Sequence, residues 1–224
     1  PVATSYIASR DGIDIYATDG VYMNSIVVAQ NIPIVGINPN IYIQGISIDT
    51  DNSLYVTGPF NGHWSFGADT IVNPSPSAYH DFFVSRIAPD GEISWSRQIK
   101  VVSVHPRFYD GFTVCDGHVL WLAQKGEATV SVEGYPSYTT DESGDQFLVH
   151  FSTDGGTPRV LEYPMHAGEH NTSGTPWRNQ GLVTSMDGRQ IACASRFGNT
   201  IEVNGATYVP YTSPNIVSDY LLTM

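Results

Sequence analysis

Short apolar segments separated by tight polar turns run along the whole chain. Such residue pairs as Asp-Gly and Asp-Asn tolerate the positive φ angles of two-residue hairpin turns. Four apolar segments follow a turn of this kind, at Asp11-Gly12, Asp51-Asn52, Asp116-Gly117 and Asp187-Gly188. Another apolar segment precedes each turn, and no long stretch repeats its apolar positions every 3.6 residues. The pattern therefore predicts an all-β protein with four β-hairpins and essentially no helix.

A second series of apolar segments follows the hairpins, and each hairpin together with its segment forms one copy of a repeat. Each segment opens with a polar residue, at 25–28, 81–84, 145–148 and 219–222. The first three lead through a turn into a fourth strand, at 32–35, 93–95 and 159–161. An extra small hairpin separates strands two and three in the last three units, at 63–67, 129–134 and 200–205. The predicted repeat is a four-stranded antiparallel unit, with copies at approximately 1–40, 41–104, 105–172 and 173–224.

Repeats of this size and order are typical of a β-propeller, because a lone four-stranded sheet cannot cover both of its faces. We predict an all-β propeller of about four four-stranded antiparallel blades, forming a single domain over residues 1–224. A two-sheet β-sandwich is the alternative, although it does not explain the recurring order of the strands. The fourth unit reaches Met224 in its third strand, so the last blade is predicted to be incomplete. Three interpretations stay open: an irregular closure, a piece of a larger propeller, or an open edge that pairs with a neighbouring chain.

The amino-acid composition restricts the classes of molecule that this chain is expected to bind. The 224 residues are 41% hydrophobic and only 14% charged, and 22 acidic against 10 basic residues give a formal net charge of −12. This balance repels phosphate backbones and anionic lipids, so we expect neither nucleic acid nor a membrane as a partner. No apolar run approaches the length of a membrane span. Cys115 and Cys193 lie in predicted strands and are predicted to be buried thiols.

The second unit carries the most distinctive motifs. Its sequence is GISID at 45–49, DNSLYVTGPF at 51–60, FG at 66–67, DFFVSR at 81–86 and PDGEISW at 89–95. This order resembles the bacterial β-propeller repeat abbreviated SBBP, clearly over residues 43–102 and in fragments elsewhere. The resemblance implies a propeller fold and an exported or surface-associated protein, and it brings no known catalytic residue.

Aromatic residues on predicted loops are the candidate binding residues. Trp177 follows a proline in the longest loop, and Tyr135 and Tyr138 flank Pro136 in another. Loop aromatics stack on sugars or anchor protein interfaces. Trp64, Trp95 and Trp121 occupy apolar strand positions instead, and they are predicted to be core residues.

Three clusters contain possible metal ligands, but none meets all the requirements of a metal site. His166 and His170 are four residues apart around Glu169, an arrangement that ligates zinc on a helix, whereas glycine and proline around them predict a loop. Asp49, Asp51 and Ser53 supply oxygen ligands without the twelve-residue calcium-loop pattern, as do Asp141, Glu142 and Asp145. We therefore predict neither a metal site nor a cofactor.

No local catalytic signature is present. The chain has no G-x-S-x-G, no P-loop and no H-E-x-x-H sequence. We predict a non-catalytic structural or binding protein outside the cytoplasm, as part of a phage particle or a bacterial surface. It would assemble with copies of itself or other subunits through its incomplete blade. The alternative is a glycan-binding or glycan-cleaving propeller, in which carboxylates from different blades converge.

Overall fold

The structure is a computed structural model that describes residues 3–8, 12–17, 19–34, 38–74, 81–103, 111–115, 117–125, 128–132, 137–139, 145–156, 159–163, 165–167, 178–184, 191–197, 201–203, 206–208 and 219–223. All the regular secondary structure in these residues is β-strand, as the sequence pattern predicts. The chain divides into two compact units, one comprising residues 1–101 with 132–134 and the other residues 102–131 with 135–224. The single domain over residues 1–224 stays a prediction.

The strands of the first part of the chain are β1 (Ala3–Ala8), β2 (Gly12–Ala17), β3 (Tyr22–Val27), β4 (Gln30–Asn31), β5 (Asn40–Ile41), β6 (Gly45–Ile48), β7 (Leu54–Phe66), β8 (Asp69–Asn73), β9 (Asp81–Ile87) and β10 (Ile93–Ser103). β1, β2 and β3 form an antiparallel sheet in that order. β6, β7, β9 and β10 form the antiparallel meander that the sequence predicts for the second unit.

The predicted fourth strand of the first unit is not found in the described residues of that segment. Residues 32–34 are outside any strand, and β4 pairs with the distal half of β7, where Gln30 faces Ser65 and Asn31 faces Trp64. Ile32 N–H extends this pairing by donating to His63 O over 2.9 Å. Pro33, which has no N–H, cannot continue a hydrogen-bonded ladder in the middle of a sheet. The segment is therefore attached to the second unit's hairpin, and β3 is left at the edge of the first sheet.

β7 runs for 13 residues and takes part in two sheets. Its proximal half pairs with β6 and β9, and its distal half pairs with β8 in the extra hairpin that the FG motif predicts. Residues Leu54–Phe60 are all buried, and so are four consecutive residues of β9, Phe82 to Ser85. Successive residues of a strand point to opposite faces, so both faces of this sheet are covered.

In the compact unit of residues 1–101 with 132–134, the buried core lies between two sheets and is centred on Phe83. The Phe83 ring lies 5.0 Å from the Phe66 ring and 6.4 Å from the Phe60 ring, between centroids. Ile13 of β2 belongs to the same buried cluster, so the first sheet packs against a face of the second. Trp64 and Trp95 are 4% and 6% exposed, which confirms that they are core residues.

The second part of the chain contains β11 (Gly111–Cys115), β12 (His118–Lys125), β13 (Ala128–Val132), β14 (Tyr138–Thr139), β15 (Asp145–Ser152), β16 (Arg159–Tyr163), β17 (Met165–Ala167), β18 (Arg178–Thr184), β19 (Ile191–Phe197), β20 (Ile201–Val203), β21 (Ala206–Tyr208) and β22 (Asp219–Thr223). β11, β12, β15 and β16 form a four-stranded antiparallel sheet, and β18, β19 and β22 form a three-stranded one. The predicted small hairpins are present as β13–β14 and β20–β21. Trp121 and both cysteines lie in strands, as predicted.

Two local predictions meet different outcomes. The prediction of a two-residue turn is confirmed at Gly117, which has a φ angle of 79° and lies between the paired Cys115 and His118. Asn52 has a φ angle of 66°, but its turn is longer than predicted, because Ile48 pairs with Leu54. Gly12 has no positive φ and begins β2, whereas residues 11, 187 and 188 lie outside the described residues. The predicted loop around His166 is wrong for Met165–Ala167, because these residues form β17 and pair with β20. Cross-strand hydrogen bonding outweighs the local glycine and proline signals there. His170 lies outside the described residues.

Candidate binding surface

The edge strand β3 is unusually apolar for a solvent-facing edge. Five of its six residues are exposed, and β2 is the one strand that pairs with it in the described sheets. We use the name β3 surface for four exposed apolar residues in and next to this strand, with exposures of 60%, 53%, 39% and 59%: Val21, Tyr22, Met23 and Val27. An unpaired strand edge with exposed apolar side chains is a template for pairing with another strand.

A tight turn positions the beginning of this surface. Val21 O accepts a hydrogen bond from Ala17 N–H over 2.8 Å, and Gly20 N–H donates to Ala17 O over 2.9 Å. The Asp19 carboxylate accepts from Val21 N–H over 3.1 Å. The backbone is therefore fixed immediately before Tyr22, and the strand leaves the turn in a defined register with β2.

Tyr22 is held in place although half of it is exposed. Its ring packs edge-on against Tyr16, with the centroids 5.8 Å apart. Its hydroxyl lies 2.8 Å from Ser25 Oγ, and Ser25 in turn donates to Asp14 Oδ1, so the Tyr22 hydroxyl is the donor in the first bond. A rigid, amphipathic tyrosine loses little conformational entropy on binding and is a common anchor at interfaces.

A second group of charged and aromatic residues lies in the second unit of the repeat and has a structural role. Arg86 Nη2 lies 2.7 Å from Asp51 Oδ2 and donates to Ser53 Oγ over 2.9 Å. The Arg86 guanidinium stacks 6.0 Å from the Tyr55 ring, and Tyr55 packs edge-on against Trp95 at 6.1 Å. Tyr55 and Trp95 are buried, so these groups fasten the outer turn to the sheet.

The electrostatics of this ion pair follow from its hydrogen bonds. The backbone N–H of Ser53 donates to Asp51 and holds the pKa of that carboxyl below its ordinary value, with the Ser53 hydroxyl and Arg86 acting in the same direction. Burial opposes the charge on Arg86, but Tyr55 and Asp51 outweigh burial and raise the pKa of its guanidinium. The Asp51 carboxylate, considered above as a calcium ligand, thus has a partner within the fold.

Two of the three predicted binding aromatics, Trp177 and Tyr135, lie outside the described residues. The predicted loop position of Tyr138 is wrong, because Tyr138 lies on β14 and pairs with Val130 of β13. Their role as a binding site stays a prediction. Sequence reasoning missed the β3 surface, although the shortness of the first unit, which lacks the extra hairpin of the others, was a signal that its outer strand differs.

Comparisons with known proteins leave the fold and the site to be interpreted from their own geometry. No family model matches the chain, and no curated protein or solved structure is significantly similar to it. In the part of the chain that the structure describes, no helix has the length and apolar character needed to cross a membrane.

Proposed function

We propose that this chain is a non-catalytic structural or binding subunit that assembles by strand addition at an incomplete sheet. The β3 surface carries this proposal, because it combines an edge that no other described strand pairs with, a preorganised tyrosine and three exposed aliphatic side chains. The occupant is a strand of a neighbouring subunit, in the first instance a second copy of this chain. Main-chain hydrogen bonds supply affinity, and contacts with Tyr22, Met23 and Val27 supply specificity.

The architecture that we propose is a β-propeller. Three observations support it over a sandwich: the meander strands follow each other in sequence order, both faces of the β7–β9 region are buried, and β11 lies beside β18. In a propeller the first strands of consecutive blades are neighbours near the axis, whereas a sandwich exposes one face of each sheet.

In this proposal the incomplete blades are the places where another subunit binds. Among the described residues, the sheets β6–β7–β9–β10 and β11–β12–β15–β16 each contain four strands of the meander. The sheets β1–β2–β3 and β18–β19–β22 each contain three, with β3 and β22 at an edge. An added strand would complete a blade and remove an edge that otherwise invites aggregation. The place of the protein is proposed to be a phage particle or a bacterial surface, in keeping with the SBBP resemblance.

The test is the mass of the native particle with and without a charged β3 surface. Light scattering across micromolar concentrations is expected to give a defined oligomer for the wild-type chain and a monomer for Met23→Lys/Val27→Lys, since lysines on an edge strand oppose pairing. Ile48→Lys is the matched control, because Ile48 is 44% exposed and lies on β6, in a different sheet from β3. Circular dichroism checks that each variant is folded.

Either of two results would refute the proposal. A wild-type chain that stays monomeric at every concentration excludes self-assembly, and an oligomer that survives the double substitution excludes the β3 surface as its contact. Binding of the monomer to a glycan array would favour the alternative sugar-binding function.

A further inference from the structure

Two histidines in the second part of the chain meet on the surface of one sheet. His118 Nδ1 lies 2.7 Å from His150 Nε2, and the ring centroids are 4.7 Å apart with planes inclined at 54°. His118 is exposed and His150 is partly exposed, so solvent reaches the pair. The residues are 32 apart in sequence and belong to different strands.

The strand register creates this contact. In the β12–β15 ladder His118 pairs with Ser152 and Leu120 pairs with His150, so the two histidines are diagonal neighbours on the same face. Diagonal positions across antiparallel strands are within reach of long and aromatic side chains. The turn at Gly117 and the hydrogen bond from Thr153 N–H to Gly117 O fix this end of the ladder. The imidazoles are therefore brought together by the sheet and not by a flexible loop.

We propose that His118 and His150 form a two-imidazole site for a divalent transition-metal ion of the Zn²⁺, Ni²⁺ or Cu²⁺ type. Neutral imidazole nitrogens are the preferred ligands of these ions. Two nitrogens bound tetrahedrally at about 2.0–2.1 Å stand roughly 3.3 Å from each other, so the pair needs to open by only about 0.6 Å. The neutral pair carries two protons, one in the Nδ1···Nε2 contact and one on an outer ring nitrogen. When the ion binds, the contact proton exchanges through solvent to the other outer nitrogen, so that His118 Nε2 and His150 Nδ1 each carry one proton and the two contact nitrogens bind the ion.

The surroundings set the strength of this site. Among the described residues no group of three or more His, Cys, Asp or Glu side chains could hold a metal ion, so His118 and His150 are the two protein ligands that the proposal uses. The formal net charge of −12 favours cations over anions at the surface as a whole.

Isothermal titration with zinc chloride, and separately with nickel chloride, tests the proposal at pH 7.5 on the full chain. The wild-type chain is expected to bind one ion that His118→Ala/His150→Ala binds at least tenfold more weakly. His166→Ala/His170→Ala is the matched control and is expected to keep the wild-type affinity, which separates this site from the other pair of histidines in the sequence. His118→Gln, a milder change at the exposed partner, should also lose at least tenfold.

The result that overturns the site is an unchanged titration in folded His118→Ala/His150→Ala and in folded His118→Gln. Loss of binding in the His166→Ala/His170→Ala control alone would also overturn it. In either case the 2.7 Å contact is a hydrogen bond between imidazoles and nothing more.

Discussion

Among the described glycines, Gly58 is the position where an added methyl group would meet the closest backbone atom. It lies in the middle of β7, and a Cβ built on it would stand 1.7 Å from Tyr42 O and 2.8 Å from Tyr42 C. The obstacle is backbone, which cannot rotate away as a side chain would. The segment around Tyr42 is tied to β7 by hydrogen bonds from Tyr42 N–H to Pro59 O at 3.1 Å and from Gln44 N–H to Thr57 O at 2.9 Å.

For Gly58→Ala we expect a loss of about 3 kcal/mol or more in the free energy of unfolding. Contacts of Cβ atoms essentially never fall below 3.0 Å, so the Tyr42 carbonyl must retreat by more than an ångström. Overpacking of this kind costs roughly 1–3 kcal/mol, and each of the two hydrogen bonds that it strains contributes about 0.5–1.5 kcal/mol. In a chain of this size the corresponding fall in Tm is about 6 °C or more.

Urea and thermal unfolding followed by circular dichroism measure the effect. Gly20→Ala is the control: Gly20 has a φ of +81°, and a methyl group added there would meet nothing within 4 Å, so its substitution carries only the cost of a left-handed backbone, about 1–2 kcal/mol. A Gly58→Ala chain as stable as Gly20→Ala would refute the steric reasoning. It would mean that residues 40–44 move away from β7 without loss.

Three other substitutions test separate parts of the second sheet. Ser85→Ala removes one side of the buried 2.8 Å hydrogen bond to Ser96 Oγ and should cost about 1–3 kcal/mol in urea unfolding, whereas adding Ser96→Ala should recover part of that loss; a double variant less stable than the single one would contradict this. Phe83→Ala should cost about 3–5 kcal/mol, because Phe83 is fully buried between two other rings, and a smaller loss would mean that the core collapses into the space. Asp51→Asn should cost less than about 1 kcal/mol at pH 7, since the pair with Arg86 is half exposed. Because the pKa of Asp51 is lowered in the folded state, the contribution of Asp51 to stability is present above the ordinary pKa of 3.8 and is lost as the pH falls through the lower, folded-state pKa. The free energy of unfolding of Asp51→Asn should therefore depend less on pH in acid than that of the wild-type chain. An unchanged pH dependence would contradict the assignment.

The local signals in the sequence predicted the strands well. The turn at Gly117, the polar residue that opens β9 and the FG hairpin are determined by neighbouring residues, and the structure confirms them. Ser25 differs, because it lies within β3 and does not open that strand. What the sequence could not place were pairings between distant segments. β4 leaves the first sheet for β7, and Met165–Ala167 become a strand only because β20 is present as a partner.

The candidate sites depended even more on long-range register. Tyr22 and Met23 become exposed because residues 30–32 pair elsewhere, and nothing in residues 21–27 alone announces it. His118 and His150 meet only when β12 and β15 adopt one particular alignment, since a shift of one residue would place them on opposite faces. Aromatic residues on predicted loops, such as Trp177, are easily identified in a sequence as candidate binding residues. The β3 surface and the histidine pair consist of strand residues that have no such local signal.

The dual membership of β7 has a consequence for how the molecule opens. In many repeat proteins each repeat contacts only its neighbours, so one repeat can fray while the others stay intact. Here a single continuous strand is hydrogen-bonded to β6 and β9 at one end and to β4 and β8 at the other, and β4 is also the exit from the first sheet. Local unfolding of any of these partners exposes an edge of the same strand, and the amides of Leu54–Phe66 should exchange with solvent as one cooperative unit. The first two repeats would then be a single unit in folding although they are two in sequence.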